Sequence, residues 1–267
     1  MLHLDRDLAS EVAPIIKDAG SVVLSFFHKK VTRTEKYEDG ADHGFVTEAD
    51  LASESYLTQQ LGNLIPGAGF IAEESGKTTG EKSDYCWVID PLDGTTNFAY
   101  GIPYFCISIG LTYQGKPVFG MIYQPVTDEL FYATEGKGAF LNGKPIRVSQ
   151  APLEKSMITF CLPYEKDTVF ENLLTTTLVV AKNVYAIRKF GAAALDIANV
   201  AAGRVQGAIF AELGWWDIAA GIVLVQEAGG QTSDFQGNHV GPDYKSFIAT
   251  GNSEVHQKLL KLLNKQN

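Results

Sequence analysis

The chain has 267 residues, 45% hydrophobic and 20% charged, which suits a globular fold with a sizeable core. Its net charge of −9 argues against nucleic acid as an electrostatic partner, although bound divalent cations can reverse the local field and admit an anionic substrate. Three scattered cysteines (Cys86, Cys106, Cys161), no secretory core at the N-terminus and no membrane-length apolar run point to a reduced, cytoplasmic protein with no membrane partner.

Val12, Ile15, Ile16, Ala19, Val23, Phe26 and Phe27 recur at helical spacing over 8–27, with Pro14 near the first turn. Residues 28–44 turn from basic to polar, contain Asp39-Gly40, and read as a loop or hairpin. Lys36 lies here, by default a solvated surface lysine. Thr47 is a good N-cap for a helix over 51–64, and Asp50 three residues on completes a capping box. After the break at Pro66-Gly67, residues 70–72 read as a short buried strand that delivers Glu73 and Glu74 at its end.

Residues 86–89 form a second buried run. Asp90, Pro91, Leu92, Asp93 and Gly94 follow, then Thr95, Thr96 and Asn97, which suit the start of a helix. Two readings stand side by side. Asp-Pro and Asp-Gly are ordinary turn dipeptides. Equally, a strand that drops two carboxylates beside a helix N-terminus makes a site for a hard cation and a phosphate.

Strands over 105–113, 118–123, 130–133, 138–141 and 146–148, with Asn142-Gly143 as a hairpin turn, make an antiparallel meander. Gly138 to Lys144 imitates a P-loop, but Pro145 stands where Ser or Thr is required, so that reading is rejected. A second half begins near 151. It has strands over 158–162, 184–190 and 205–210, helices over 168–180, 191–202 and 218–228, and a last strand and helix over 246–249 and 254–263. Asp217 stands at a helix start, where its plainest role is an N-cap. Strands alternating with helices around a meander predict a layered α/β architecture.

Glu73, Asp90, Asp93 and Asp217 are acids at element ends beside apolar runs. Buried carboxylates are costly unless paired or metal-bound, and an all-oxygen set selects Mg²⁺, Mn²⁺ or Ca²⁺ over zinc. No H-E-x-x-H, G-x-S-x-G or helix-opening G-x-G-x-x-G is present, and none of the five histidines sits in a site motif. A metal-activated water is therefore the expected nucleophile.

These residues resemble the inositol monophosphatase family, within the lithium-sensitive, magnesium-dependent phosphatases of the fructose-1,6-bisphosphatase-like fold. The match runs nearly the whole chain. It rests on Glu73-Glu74-Ser75, on Trp87-Val88-Ile89-Asp90-Pro91-Leu92-Asp93-Gly94-Thr95-Thr96-Asn97-Phe98, and on Trp216-Asp217-Ile218-Ala219-Ala220-Gly221 leading to Glu227-Ala228-Gly229-Gly230. The resemblance implies one domain over 1–267, an αβαβα sandwich with coupled halves of about 1–150 and 151–267, and a homodimer. It implies that Glu73, Asp90 and the Leu92 carbonyl hold one Mg²⁺ and that Asp90, Asp93 and Asp217 hold another, with a third, weaker ion near Glu73. Thr95, helped by Asp50, would orient and deprotonate the attacking water. Gly94 and Thr95 would cradle phosphate, while Asp93, Gly191, Ala193, Glu212 and Lys36 would meet the phosphorylated polyol. The expected substrate is inositol monophosphate; histidinol phosphate, fructose 1,6-bisphosphate and a non-catalytic phosphate- or metal-sensing role are the alternatives.

Overall fold

The structure, a computed structural model, describes residues 7–29, 32–38, 41–78, 80, 83–163 and 166–264, apart from the side chains of 36–38 and 41–44. The chain opens with helix α1 (Leu8–Phe26), the hairpin β1 (Arg33–Glu38) and β2 (Ala41–Thr47), and helix α2 (Glu48–Leu64). β3 (Gly69–Ala72), β4 (Gly76–Thr78), β5 (Tyr85–Asp93) and the short helix α3 (Thr95–Ala99) follow. The meander is β6 (Cys106–Tyr113), β7 (Lys116–Gln124), β8 (Glu129–Thr134), β9 (Gly138–Leu141) and β10 (Lys144–Pro145). β3 to β10 form one eight-stranded sheet in the order β10-β9-β8-β7-β6-β5-β3-β4, antiparallel except where β3 runs parallel to β5.

A five-stranded sheet is built from β11 (Met157–Cys161), β12 (Ala186–Arg188), β13 (Gly207–Ala211), β14 (Gln231–Ser233) and β15 (Ser246–Thr250), in the order β12-β11-β13-β15-β14. Its helices are α4 (Thr168–Ala181), α5 (Ala193–Ala201), α6 (Trp215–Glu227) and α7 (Ser253–Leu263).

The side-chain alternation of β5 shows how the layers stack. Trp87 and Ile89 enter a core with Val12 and Ile16 of α1 and Leu57 and Leu61 of α2. Val88 between them faces the other way, into the core of α5 and α6. On its far side that core takes Phe210 and Phe247 from the small sheet. The small sheet's other face packs Ile158, Ile209 and Ile248 against Leu173 and Val180 of α4 and Val255 and Leu259 of α7. The result is the expected αβαβα sandwich, with α5 and α6 as the central layer.

α6 lies almost on the backbone of the large sheet. A Cβ added at Gly120 on β7 would come 2.2 Å from the Ala220 carbonyl oxygen. Gly120→Ala is therefore expected to cost about 3 kcal/mol, or roughly 6–12 °C in Tm, by thermal denaturation; a shift below about 2 °C would mean the helix yields freely.

The hairpin alternative for the stretch before α2 holds in β1–β2. Other local expectations change. α1 begins at Leu8, which places Pro14 seven residues in, past the first turn. The strand expected over 146–148 is absent: β10 ends at Pro145, and although the Ile146 N–H still donates to Ala139 at 2.9 Å, the Val148 N–H turns away to Ala228 at 3.2 Å. The strand expected over 184–190 shortens to β12.

Candidate active site

β5 does not end at Asp90. It continues to Asp93, with Asp90 opposite Ser108 and Asp93 opposite Cys106 on β6, and the register shifts between them. Pro91 and Leu92 on β5 thus face the single Ile107 on β6, a bulge. The bulge matters because side chains three apart on a regular strand face opposite ways. Here it brings both carboxylates to one side, and Asp217 joins them: ligand oxygens of Asp90, Asp93 and Asp217 lie within 4.8 Å of one another.

Each acid is held from behind. Asp90 Oδ1 accepts the Leu92 N–H at 3.0 Å. Asp93 Oδ1 accepts from Ala193 N at 3.0 Å, and Oδ2 accepts from Ala194 N at 2.7 Å and from the Cys106 thiol at 3.5 Å, so the first turn of α5 grips it. Asp217 is the third residue of α6 rather than its N-cap, and its Oδ2 accepts the Gly214 N–H at 2.6 Å. Ser108, opposite Asp90, donates to the Trp216 carbonyl at 3.3 Å and so ties the start of α6 to β6.

Asp50, third in α2, completes the capping box with Thr47, accepting from its N–H at 2.9 Å and its hydroxyl at 2.5 Å. The Thr95 hydroxyl lies 3.1 Å from Asp50 Oδ1 and 3.0 Å from the Leu92 carbonyl oxygen. Glu73 follows β3, with its N–H donated to Ile89 at 3.2 Å, and its charge acts on Asp50, Asp90 and Asp217.

Burial raises the carboxyl of Asp90 well above the usual range, and the charges of Glu73, Asp93 and Asp217 push it further. Asp217 is raised by burial and then by Asp93 and Glu73. Asp93 and Asp50 each reach about 6 through burial, with the α5 amides holding Asp93 down and Thr47 holding Asp50 down. Among the described residues no ion pair reaches Asp90, Asp93 or Asp217. With Asp90 and Asp93 buried and Asp217 half-buried, this mutually repelling, all-oxygen set fits hard divalent cations, which would reverse the repulsion.

A family model described as the inositol monophosphatase family matches residues 5–267. The chain belongs to this family. An inositol-1-monophosphatase of Mesorhizobium japonicum is 42% identical over 222 residues, 83% of each chain. The Nus factor SuhB of Pseudomonas aeruginosa is 38% identical over 249 residues, 91% of each. The extragenic suppressor protein SuhB of Bartonella henselae superposes with a TM-score of 0.91 at 37% identity, covering 98% of this chain and 100% of its own. The inositol monophosphatase fold is therefore this chain's fold, and membership supports a phosphatase.

Of the residues expected from the family motifs, Asp90, Asp93 and Asp217 share one cluster of ligand oxygens, and the Thr95 hydroxyl links Asp50 to the Leu92 carbonyl; Glu73 is outside that cluster, near enough for its charge to act on Asp50, Asp90 and Asp217. Gly94, at φ 90°, turns the chain from β5 into α3, and Gly191, at φ 91°, opens the segment leading to α5. Asn97 Nδ2 donates to the Phe190 and Tyr104 carbonyls, both at 2.8 Å, and sets that segment beside α3. The Ala193 N–H already serves Asp93. Glu212 is exposed at the end of β13, in a left-handed conformation (φ 54°), with its N–H donated to Lys245. Lys36 is on β1, and its side chain lies outside the described residues.

The sequence reading missed the groups behind this front row: Ser53, Glu54, Cys106, Tyr104 and Asp196. Tyr104 donates to Asp196 Oδ1 at 2.7 Å, the Thr159 hydroxyl donates to Oδ2, and Asn199 donates to the Tyr104 oxygen at 3.1 Å. Burial and the charge of Asp93 raise Asp196 to about 7.

These shifts set a pH dependence. The folded values of Asp50, Asp93 and Asp196 exceed the unfolded value of about 4, so the metal-free native state binds more protons between about pH 4 and 7. The stability they contribute is fully present below about pH 4 and is lost as pH rises through their folded values. Asp128 and Glu129, held low by Lys17 and Arg204, act below that window. The Tm in EDTA is thus expected to fall from pH 5 to 8. Asp196→Asn should flatten the part near pH 7, at about 1.4 kcal/mol per pH unit. A Tm that rises across this range in EDTA would contradict the assignment.

Proposed function

We propose that this chain is a Mg²⁺-dependent phosphatase whose substrate is inositol monophosphate. The carrying observation is the convergence of Asp90, Asp93 and Asp217 without an ion-pair partner among the described residues. Glu73, Asp90 and the Leu92 carbonyl would hold one cation, and Asp90, Asp93 and Asp217 another. When bound, such cations neutralise the charge on phosphoryl oxygens and generate a nucleophile at neutral pH. Mn²⁺ can fill the same oxygen set. Thr95, between Asp50 and the Leu92 carbonyl, would orient the attacking water and pass its proton toward Asp50. Gly94 and Thr95 would offer backbone N–H groups to the phosphate. Asp93, Gly191, Ala193, Glu212 and Lys36 would line the polyol side.

The naming of relatives such as the Mesorhizobium enzyme supports the inositol substrate over histidinol phosphate and fructose 1,6-bisphosphate. A regulatory, phosphate- or metal-sensing role is the second reading, favoured by relatives named Nus factor SuhB. Phosphate release from a substrate panel at fixed Mg²⁺, with and without lithium, separates them. Release from inositol monophosphate, suppressed by lithium, is expected. Turnover of histidinol phosphate alone would move the protein to another branch, and no release from any substrate would favour the regulator.

A homodimer is part of this proposal. It is supported by exposed Leu174, Leu178 and Tyr185 on and after α4, and by β12 at an edge of the small sheet. A cytoplasmic setting accords with Cys86, Cys106 and Cys161 as free thiols. No helix among the described residues is long and apolar enough to cross a membrane.

A further inference from the structure

Glu54 is a carboxylate in the middle of α2, only 5% exposed. Its Oε2 accepts the Glu74 N–H at 2.9 Å and its Oε1 the Ser75 N–H at 2.8 Å. These are the two peptide groups directly after Glu73. Beside it, the Ser53 hydroxyl donates to the Pro91 carbonyl at 2.9 Å, in the β5 bulge. One turn earlier, Asp50 meets Thr95. Positions 50, 53 and 54 share one face of a helix. Through them α2 grips three segments far apart in sequence: the β3–β4 turn, the β5 bulge and the start of α3.

We propose that Glu54 is a positioning residue of the cation site, holding the turn at 73–75 so that Glu73 can join Asp90 at the proposed cation position. The inference rests on the cation reading above. The turn needs such a hold. β4 is a three-residue, fully exposed edge strand, and among the described residues no further strand pairs with its outer side. The last rung of β3 is the Glu73 N–H on Ile89. A buried carboxylate is costly unless charge-assisted hydrogen bonds satisfy it, and here both oxygens are used on adjacent amides. Those bonds fix the direction in which the chain leaves Glu73, one peptide from its Cα. Groups behind metal ligands set ligand orientation, and their loss lowers metal affinity about 10- to 100-fold.

The test is calorimetric titration of metal-free protein with MgCl₂, using wild type, Glu54→Gln, Glu54→Asp and, as a control elsewhere on α2, Leu61→Ala. Gln keeps the size but turns an amide NH₂ toward one of the two backbone donors, so one tie is lost. The Mg²⁺ dissociation constant is expected to rise about 10- to 100-fold in Glu54→Gln and less in Glu54→Asp. It should stay at the wild-type value in Leu61→Ala, although the cavity left there lowers Tm. In parallel assays, kcat at saturating Mg²⁺ should recover in Glu54→Gln. A folded Glu54→Gln with wild-type affinity overturns the inference, as does an equal shift in Leu61→Ala. If Glu54→Gln does not fold, a folded Glu54→Asp with wild-type affinity overturns it in the same way. A wild-type protein that takes up no Mg²⁺ removes the cation reading itself, a failure distinct from these.

Discussion

Asp90→Asn is expected to abolish turnover and, in the same molecule, to make the metal-free protein more stable. The two effects share a cause. Ionisation at this position is opposed by burial and then by Glu73, Asp93 and Asp217. An amide of the same shape removes one of the repelling charges and still accepts the Leu92 N–H. Relief of a buried, uncompensated charge should raise stability in EDTA by about 1–3 kcal/mol. With Mg²⁺ present the order reverses, because the amide withdraws a charged ligand that both proposed cation positions share. Loss of several kcal/mol of charge stabilisation corresponds to a fall in kcat of about 10³-fold or more. Paired measurements of Tm in EDTA and kcat in Mg²⁺ check both halves. A variant that is weaker in EDTA, or that still turns over, would mean Asp90 is a structural carboxylate.

Thr95→Ala should behave differently: on the role proposed for it, it loses kcat by about 10²- to 10³-fold with Mg²⁺ affinity kept, because only the proton-handling group goes. The hydroxyl stands between Asp50 Oδ1 and the Leu92 carbonyl, 3.1 and 3.0 Å away. Thr95→Ser restores that oxygen and should recover most of the rate. Burial raises Asp50 to about 6 without metal and nearby cations would lower it, so on the proposed role wild-type activity should climb with pH through the acid range, with its midpoint at or below that value. Weakened Mg²⁺ binding in Thr95→Ala, with kcat intact, would show that the residue props up the Leu92 carbonyl instead.

What was readable in the sequence was local chemistry. Thr47 with Asp50 forms the expected capping box, and the Asp90 to Thr95 stretch carries its turn and helix start in adjacent residues. The bulge was not readable. Pro91 looks like a terminator, yet β5 absorbs it by adding one residue against β6. Asp217 was misplaced by three positions relative to its helix, because two tryptophans before it hide the start at Trp215. Glu54 and Asp196 were passed over for another reason. Each sits inside a helix, where an acid reads as solvent-facing, and their partners lie 20 to 92 residues away. Periodicity cannot register such pairings.

The grip of α5 on Asp93 reaches beyond catalysis. Gly191 to Ala193 leads directly into the turn that clasps this acid, and Asn97 pins the same stretch from α3. If that stretch is the polyol wall proposed above, evolution has little freedom to retune recognition there, since each change disturbs Asp93. New chemical tastes would have to arise further out, at the exposed Glu212 side chain, since two residues on the Gly214 N–H already serves Asp217.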